Sequence, residues 1–321
     1  MSQLLWTQKQ DIGTAPRSGA AMAFDSLKKR ALLFGGMVGG SPVNDTWEWD
    51  GQNWTQVADI GPQARAYHAL AYDAARQRVV LFGGVGAGSA YFNDTWEWDG
   101  TEWTQLEDSG PAARSGMGMC FDSKRKLAVL FGGGNASSQF ADTWVWDGVS
   151  WTQEQDAGPS ARTRHGMDYD SSRDRVVLFG GISVTTKQVQ VWHSGGLFQS
   201  GYYTTETTST SQFMNDTWEY DGATWTRVAD TGPSARYGFG FVYGDKVVLL
   251  FGGKNATNAF RDTWQWDGAH WTQRQDIGPS QRGDLAAAYD SNRGHMVIFG
   301  GSGEGTSPPI LGDTWEAFER P

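Results

Sequence analysis

A chain of 321 residues with 43 Gly, 17 Trp and 16 Phe is suited to many short strands joined by tight turns, with aromatic side chains as the filling. Its 26 Lys plus Arg stand against 36 Asp plus Glu, a formal charge of -10, and no basic cluster offers the counterion release on which nucleic-acid binding depends. The single cysteine, Cys120, excludes an intrachain disulfide and a cysteine-based zinc cage, and no apolar window approaches the roughly 18 residues of a membrane-spanning helix. With no basic, apolar leader at Met1 to Trp6, the expectation is a soluble, cytoplasmic, monomeric protein with neither nucleic acid nor membrane as partner.

In chain order, Trp6-Thr7-Gln8 comes first. Arg17 then opens a segment that leads to an apolar run ending in Phe34-Gly35-Gly36, and Asp45-Thr46-Trp47 and Trp54-Thr55-Gln56 follow. The same succession recurs: F-G-G at Phe82, Phe131, Phe179, Phe251 and Phe299, D-T-W at Asp94, Asp142, Asp216, Asp262 and Asp313, and W-T-Q or W-T-R at Trp103, Trp151, Trp225 and Trp271. One unit is about 48 residues, and the fourth carries about two dozen more. Within the second unit, Arg65 to Asp73 alternates like a half-buried strand and Arg78 to Gly84 is an apolar run ended by glycine. Asn93 to Asp99 and Glu102 to Gln105 flank the tight-turn dipeptide Asp99-Gly100. These four segments predict strands a to d of an antiparallel blade. The last unit stops after its strand c, Gly312 to Ala317, without a W-T-Q of its own, so Trp6-Thr7-Gln8 is predicted to complete that blade and close the ring.

An apolar strand ending in a double glycine, then an aromatic-rich strand and a Trp-bearing fourth strand, resembles the Kelch repeat over nearly the whole chain. The resemblance implies an all-β fold, a six-bladed β-propeller of four-stranded antiparallel blades forming one domain over residues 1–321, with strand a innermost beside a central channel. It also implies a binding role, the commonest one for Kelch domains. The Trp-Asp dipeptides at Trp49 and Trp98 are shared with WD-repeat propellers, which lack the double glycine at this place. Sixteen of the 17 tryptophans sit at repeat positions, where they fill the widening gap between blades. Arg17, Arg65, Arg114, Arg162, Arg236 and Arg282 recur once per unit and are expected to pair with a repeat Asp or a loop carbonyl. The double glycines read as backbone needing close approach or unusual dihedrals.

Function is then sought where the repeats disagree. Two residues after the repeat Arg stand Gly19, Gly116 and Gly238 in alternate units, but Tyr67, Arg164 and Asp284 in the others. One residue further, His68 and His165 replace apolar or small residues, and Asp168 lies deeper, where its counterparts are Ala23, Ala71, Cys120, Val242 and Ala288. The second departure is an insertion in the fourth unit at about 182–214, between strands b and c. Val184 to His193 alternates, Gly195-Gly196 marks a turn, and Leu197 to Glu206 returns, which predicts a hairpin projecting over the channel mouth as a lid. Thr204 to Ser211, nearly all Thr and Ser, reads as a mobile polar connection.

Three chemistries compete for these residues. A binding site for a small molecule or protein segment would use Tyr67, Arg164, Trp192, His193, Tyr237, Lys254 and Asp284, because aromatic and Arg anchors carry interface energy. A metal-dependent hydrolase would use His68, His165 and Asp284 or Asp168 as ligands of a divalent metal, zinc or iron. Metal-free acid-base catalysis would use His68 or His165 as base, Asp168 to orient it and Arg164 to hold an oxyanion. Tyr67-His68 is similar to a Tyr-His pair among the copper ligands of galactose oxidase, whose cross-linked Tyr and Cys have no match here. The iron-binding E-x-x-x-D-x-x-x-H run of the plant nitrile-specifier proteins is likewise missing. Cys120 sits among small packing residues and is not read as a nucleophile.

Overall fold

A computed structural model describes residues 3–9, 13–107, 109–154, 157–194, 200–275, 277–305 and 307–320. They form six four-stranded antiparallel sheets and one two-stranded ribbon, Met37–Val38 with Ser41–Pro42. The innermost strands are Ala21–Asp25, Ala69–Asp73, Gly118–Asp122, Gly166–Asp170, Gly240–Gly244 and Ala286–Asp290, and each packs on the next around a closed ring. The chain is therefore a six-bladed β-propeller. Among the described residues no helix is long and apolar enough to cross a membrane.

In every blade the four residues of strand b that lead into the double glycine are apolar because both faces are covered there: Val79, Val80, Leu81 and Phe82 are all buried. Strand a begins later than its alternation predicts, at Ala69 rather than Arg65. Tyr67 adopts φ 55° and its amide turns away to bond with Gly19 of the preceding blade, so that of Arg65 to His68 only Ala66 pairs within the blade, as an isolated bridge to Val85.

The D-T-W phrase is a junction whose three residues have separate tasks. In blade 3, Asp142 receives a two-pronged bond from Arg114 (2.5 and 2.8 Å) and a third from Trp144 Nε1 (2.8 Å). Arg114 Nη1 also donates to the Gly132 carbonyl (2.9 Å), so the repeat Arg pairs with both an Asp and a loop carbonyl. The same fork joins Arg17 to Asp45, Arg65 to Asp94, Arg162 to Asp216, Arg236 to Asp262 and Arg282 to Asp313. The threonine serves the neighbour: Thr95 accepts from Trp151 Nε1 of blade 3 (2.8 Å), and Thr46 from Trp103 of blade 2 (2.9 Å). Glycine is required where blades meet. Gly35 has φ 63°, and a Cβ there would lie 2.6 Å from the Arg65 carbonyl of the next blade.

Gln3–Gln8 pairs antiparallel with Thr314–Arg320, in register from Gln3 with Arg320 to Gln8 with Trp315, and so completes the sixth blade. Trp6 takes the place of a strand-d tryptophan: its Nε1 donates to Thr263 Oγ1 of blade 5 (3.0 Å), and its ring lies 4.7 Å from that of Phe251. If this closure is as strong as an ordinary blade junction, Trp6→Ala and Trp151→Ala should each lower unfolding free energy by about 3 kcal/mol. Equilibrium denaturation would measure both, and a Trp6 variant that leaves stability unchanged would show a closure of no consequence.

The insertion in blade 4 is a two-stranded extension of the blade itself. Strand b runs on as Arg175–His193 and strand c starts early as Tyr202–Tyr220, paired from Gly181 with Met214 out to His193 with Tyr202. Thr204 to Ser211 is therefore largely exposed strand rather than a connection, because β-branched threonines suit an extended ribbon. The return strand starts at Tyr202; Gly195-Gly196 and the predicted start of the return at Leu197 lie outside the described residues.

Candidate functional site

Strand a enters each blade through the residue two after the repeat Arg, and these six residues form a closed ring of hydrogen bonds at one end of the channel. The Tyr67 amide donates to the Gly19 carbonyl (2.7 Å), Gly116 to Tyr67 (2.7 Å), and Arg164 to Gly116 (2.6 Å). Gly238 then donates to Arg164 (2.9 Å), Asp284 to Gly238 (2.6 Å), and Gly19 to Asp284 (2.8 Å), closing the circle. All six have φ between 53° and 67°. For Tyr67, Arg164 and Asp284 that left-handed backbone costs about 1 kcal/mol or more each, and it persists only because the ring imposes it.

The alternation with glycine has a steric cause. A Cβ on Gly19 would come within 2.8 Å of the Tyr67 ring, one on Gly238 within 2.7 Å of Asp284 Oδ1, and one on Gly116 within 3.3 Å of Arg164 Cγ. Each glycine makes room for the large side chain of the following blade. Three such side chains fit above the ring, and six would not.

Above the ring those side chains gather with Tyr237 and Lys254. The Arg164 guanidinium lies 4.4 Å from the centre of the Tyr67 ring and 5.4 Å from that of Tyr237, and its Nη1 is 3.4 Å from Asp284 Oδ1. Lys254 Nζ is 3.9 Å from Asp284 Oδ2 and bonds to Ser302 Oγ. Burial and the Asp284 charge raise the Tyr67 pKa, and burial lowers that of Lys254 against the pull of Asp284. Arg164 stays charged: burial disfavours its cation, but Asp284, Tyr67 and Tyr237 more than compensate. Two cations thus share one carboxylate at long distances, whereas each structural Arg has a carboxylate to itself at 2.5–3.0 Å. The side chain of Arg164 is 36% exposed and retains donors for a guest. Phe213, in the base of the hairpin, stacks on Tyr237 at 5.8 Å. The sequence reading missed it because it lies inside a non-repeating segment.

The structure brings Tyr67, Arg164, Tyr237, Lys254 and Asp284 together and places the other candidates elsewhere. His68 stands edge-on to Phe34 at 5.2 Å and His165 to Phe131 at 5.6 Å, each in a different blade interface. Neither His165 nitrogen finds a hydrogen-bond partner, and for His68 the Phe34 carbonyl offers only a weak one. Burial, then the nearby Arg65 or Arg162, lowers both histidine pKa values to about 3, so both rings are neutral. Among the described residues no three His, Cys, Asp or Glu are grouped to hold a metal ion. Asp168 lies in strand a on the channel side of the ring and bonds to the amides of Tyr169 (2.8 Å) and Tyr243 (2.6 Å). Cys120 is buried and its thiol is pushed well up by burial and by Asp168. Trp192 and His193 lie toward the far end of the hairpin, where Trp192 meets Tyr203 (4.7 Å) and His193 stacks on Tyr202 (5.1 Å) and bonds to Thr204 Oγ1 (2.7 Å). Near its base, Ser183 and the Val184 amide bond to Gln139 of blade 3 (3.2 and 2.7 Å).

No curated protein matches the chain. The profile of the KLHDC2/KLHL20/DRC7 Kelch-repeats domain matches residues 1–181, more than half the chain and the part that carries the first F-G-G and D-T-W phrases. Together with six blades joined by the repeat Arg, Asp, Thr and Trp, that match shows that the chain belongs to the Kelch-repeat β-propellers of this family.

Proposed function

We propose that this propeller is a binding protein whose channel mouth, on the face of the b–c and d–a loops, takes an anionic group from a small molecule or protein segment. The observation that carries this reading is the Arg164 guanidinium, held between two tyrosine rings, loosely paired and partly exposed, with Lys254 beside the same carboxylate. A planar anion would accept two parallel bonds from Arg164 while an attached ring lies against Tyr67 or Tyr237. Three residues in strained backbone conformations support it further, since such strain concentrates at sites of function.

Benzoate is a suitable probe, because its carboxylate and ring match those two features. A charge-assisted bond in a partly desolvated site contributes about 1.5–3 kcal/mol, so Arg164→Ala should weaken benzoate binding at least tenfold in isothermal titration. Lys254→Ala should weaken it less. Equal affinity in wild type and in a folded Arg164→Ala variant would rule the reading out.

A further inference from the structure

The far side of the hydrogen-bonded ring is a separate compartment. The six innermost strands leave one edge each unpaired and enclose a channel of about 480 Å³. Its lining side chains are mostly small and apolar, Ala23, Ala71, Met119, Val242 and Ala288 among them, while the unpaired strand edges present backbone polar groups between them. One carboxylate interrupts it, Asp168. Every Asp of the six Arg forks meets a guanidinium, but no ion pair joins Asp168 among the described residues.

Both carboxylate oxygens are engaged at this edge, Oδ1 by the Tyr169 amide and Oδ2 by the Tyr243 amide, and an Asn, with its single acceptor oxygen, would keep only one of these bonds. Among the described residues its charge is met by these two amides and by no cation. Burial pushes its pKa up to about 6, so at neutral pH the ionised form is held at a disadvantage that a cation beside it would remove.

The channel end remote from Arg164 has a matching rim. The fourth residue of each innermost strand is aromatic, namely Phe24, Tyr72, Phe121, Tyr169, Tyr243 and Tyr289, and all six line the channel. The hydroxyls tie neighbouring parts together, as Tyr169 does with Asp174 (3.1 Å) and Tyr243 with the Ser172 amide (3.2 Å). These side chains also pack into the blade interfaces, and the aromatic border they give this end of the channel is compatible with an organic cation. The opposite end is narrowed by the backbone ring and carries Arg164, which repels them. A bare metal ion fits poorly, since Ca²⁺ or Mg²⁺ asks for several oxygen ligands and one carboxylate is present.

We propose that the channel is a second site, which binds a small organic ammonium ion entering past the aromatic rim, with its charge against Asp168 and its apolar body along the alanine-rich wall. The volume suits a ligand of this kind. The two sites have opposite preferences, anion at the mouth and cation in the channel.

Benzylammonium chloride, with benzyl alcohol as its neutral counterpart, tests the proposal by isothermal titration and thermal shift. Wild type should bind benzylammonium at least tenfold more tightly than benzyl alcohol. Asp168→Asn, which keeps one acceptor oxygen at this edge and removes the buried charge, should fold and lose that preference. Arg164→Ala should retain it, which separates failure here from failure of the mouth reading. The proposal is overturned by equal binding of the two probes, by an undiminished benzylammonium preference in Asp168→Asn, or by stabilisation with calcium chloride but not with benzylammonium.

Discussion

Replacing Arg114 with Ala should lower the unfolding free energy by about 3–5 kcal/mol. The side chain is 1% exposed and satisfies four acceptors at once: both Asp142 oxygens and the Ala112 and Gly132 carbonyls. Its guanidinium also lies 3.9 Å from the centre of the Phe140 ring. Burial alone would raise the Asp142 pKa, but the bonds and charge of Arg114, with the Trp144 N–H, bring it below the usual carboxylate value. Without Arg114 that carboxylate keeps the burial and loses the compensation. Arg114→Lys should recover only part of the loss, because an ammonium cannot form the two-pronged bond. Removing both partners, as Arg114→Ala with Asp142→Ala, should destabilise less than the two single changes summed, since no orphan charge remains. Urea titrations of the four proteins measure this, and additivity would show that the fork is not a coupled unit.

Acid should unfold this propeller earlier than its carboxylates require. His68 and His165 are held neutral down to about pH 3 by burial and by Arg65 and Arg162, whereas the unfolded chain protonates them near 6.5. The unfolded state therefore binds more protons between those limits, and stability is present above pH 6.5 and lost as pH falls toward 3. Asp168 acts in the opposite sense. With a folded pKa of about 6 against 3.8 unfolded, it favours the folded state as pH falls through that window. At about 1.4 kcal/mol per unit, two histidines outweigh one aspartate by roughly 4 kcal/mol between pH 6.5 and 4. Phenylalanine fits the site: Phe239 occupies the equivalent position in blade 5 and meets Phe179 edge-on at 5.7 Å. The double variant His68→Phe/His165→Phe should keep its melting temperature to lower pH than wild type. Parallel pH profiles for the two proteins would refute this account.

Much of this was legible in the residues. The F-G-G and D-T-W spacings imply six units, and the missing last W-T-Q implies closure through Trp6. Both follow from local patterns that any blade must satisfy, because a four-stranded sheet needs a fixed succession of strands and turns. A repeated Arg beside a repeated Asp likewise announces a structural pair. Departures from the repeat also led to Tyr67, Arg164 and Asp284, since a residue that breaks a sixfold rule stands out without any coordinates.

Where those departures point was decided only in three dimensions. Tyr67 and His68 are adjacent, yet the left-handed backbone at Tyr67 lifts its ring above the channel while His68 turns into the interface with blade 1. Arg164 and Asp168 are only four residues apart, but the ring of six amides between blades parts them into a mouth with two cations and a channel with one carboxylate. The sequence by itself determined the six blades, their shared junction and the strand that closes them. The tertiary structure decided which exceptions meet, because that depends on how neighbouring blades turn each side chain about the axis, and no spacing along the chain records it.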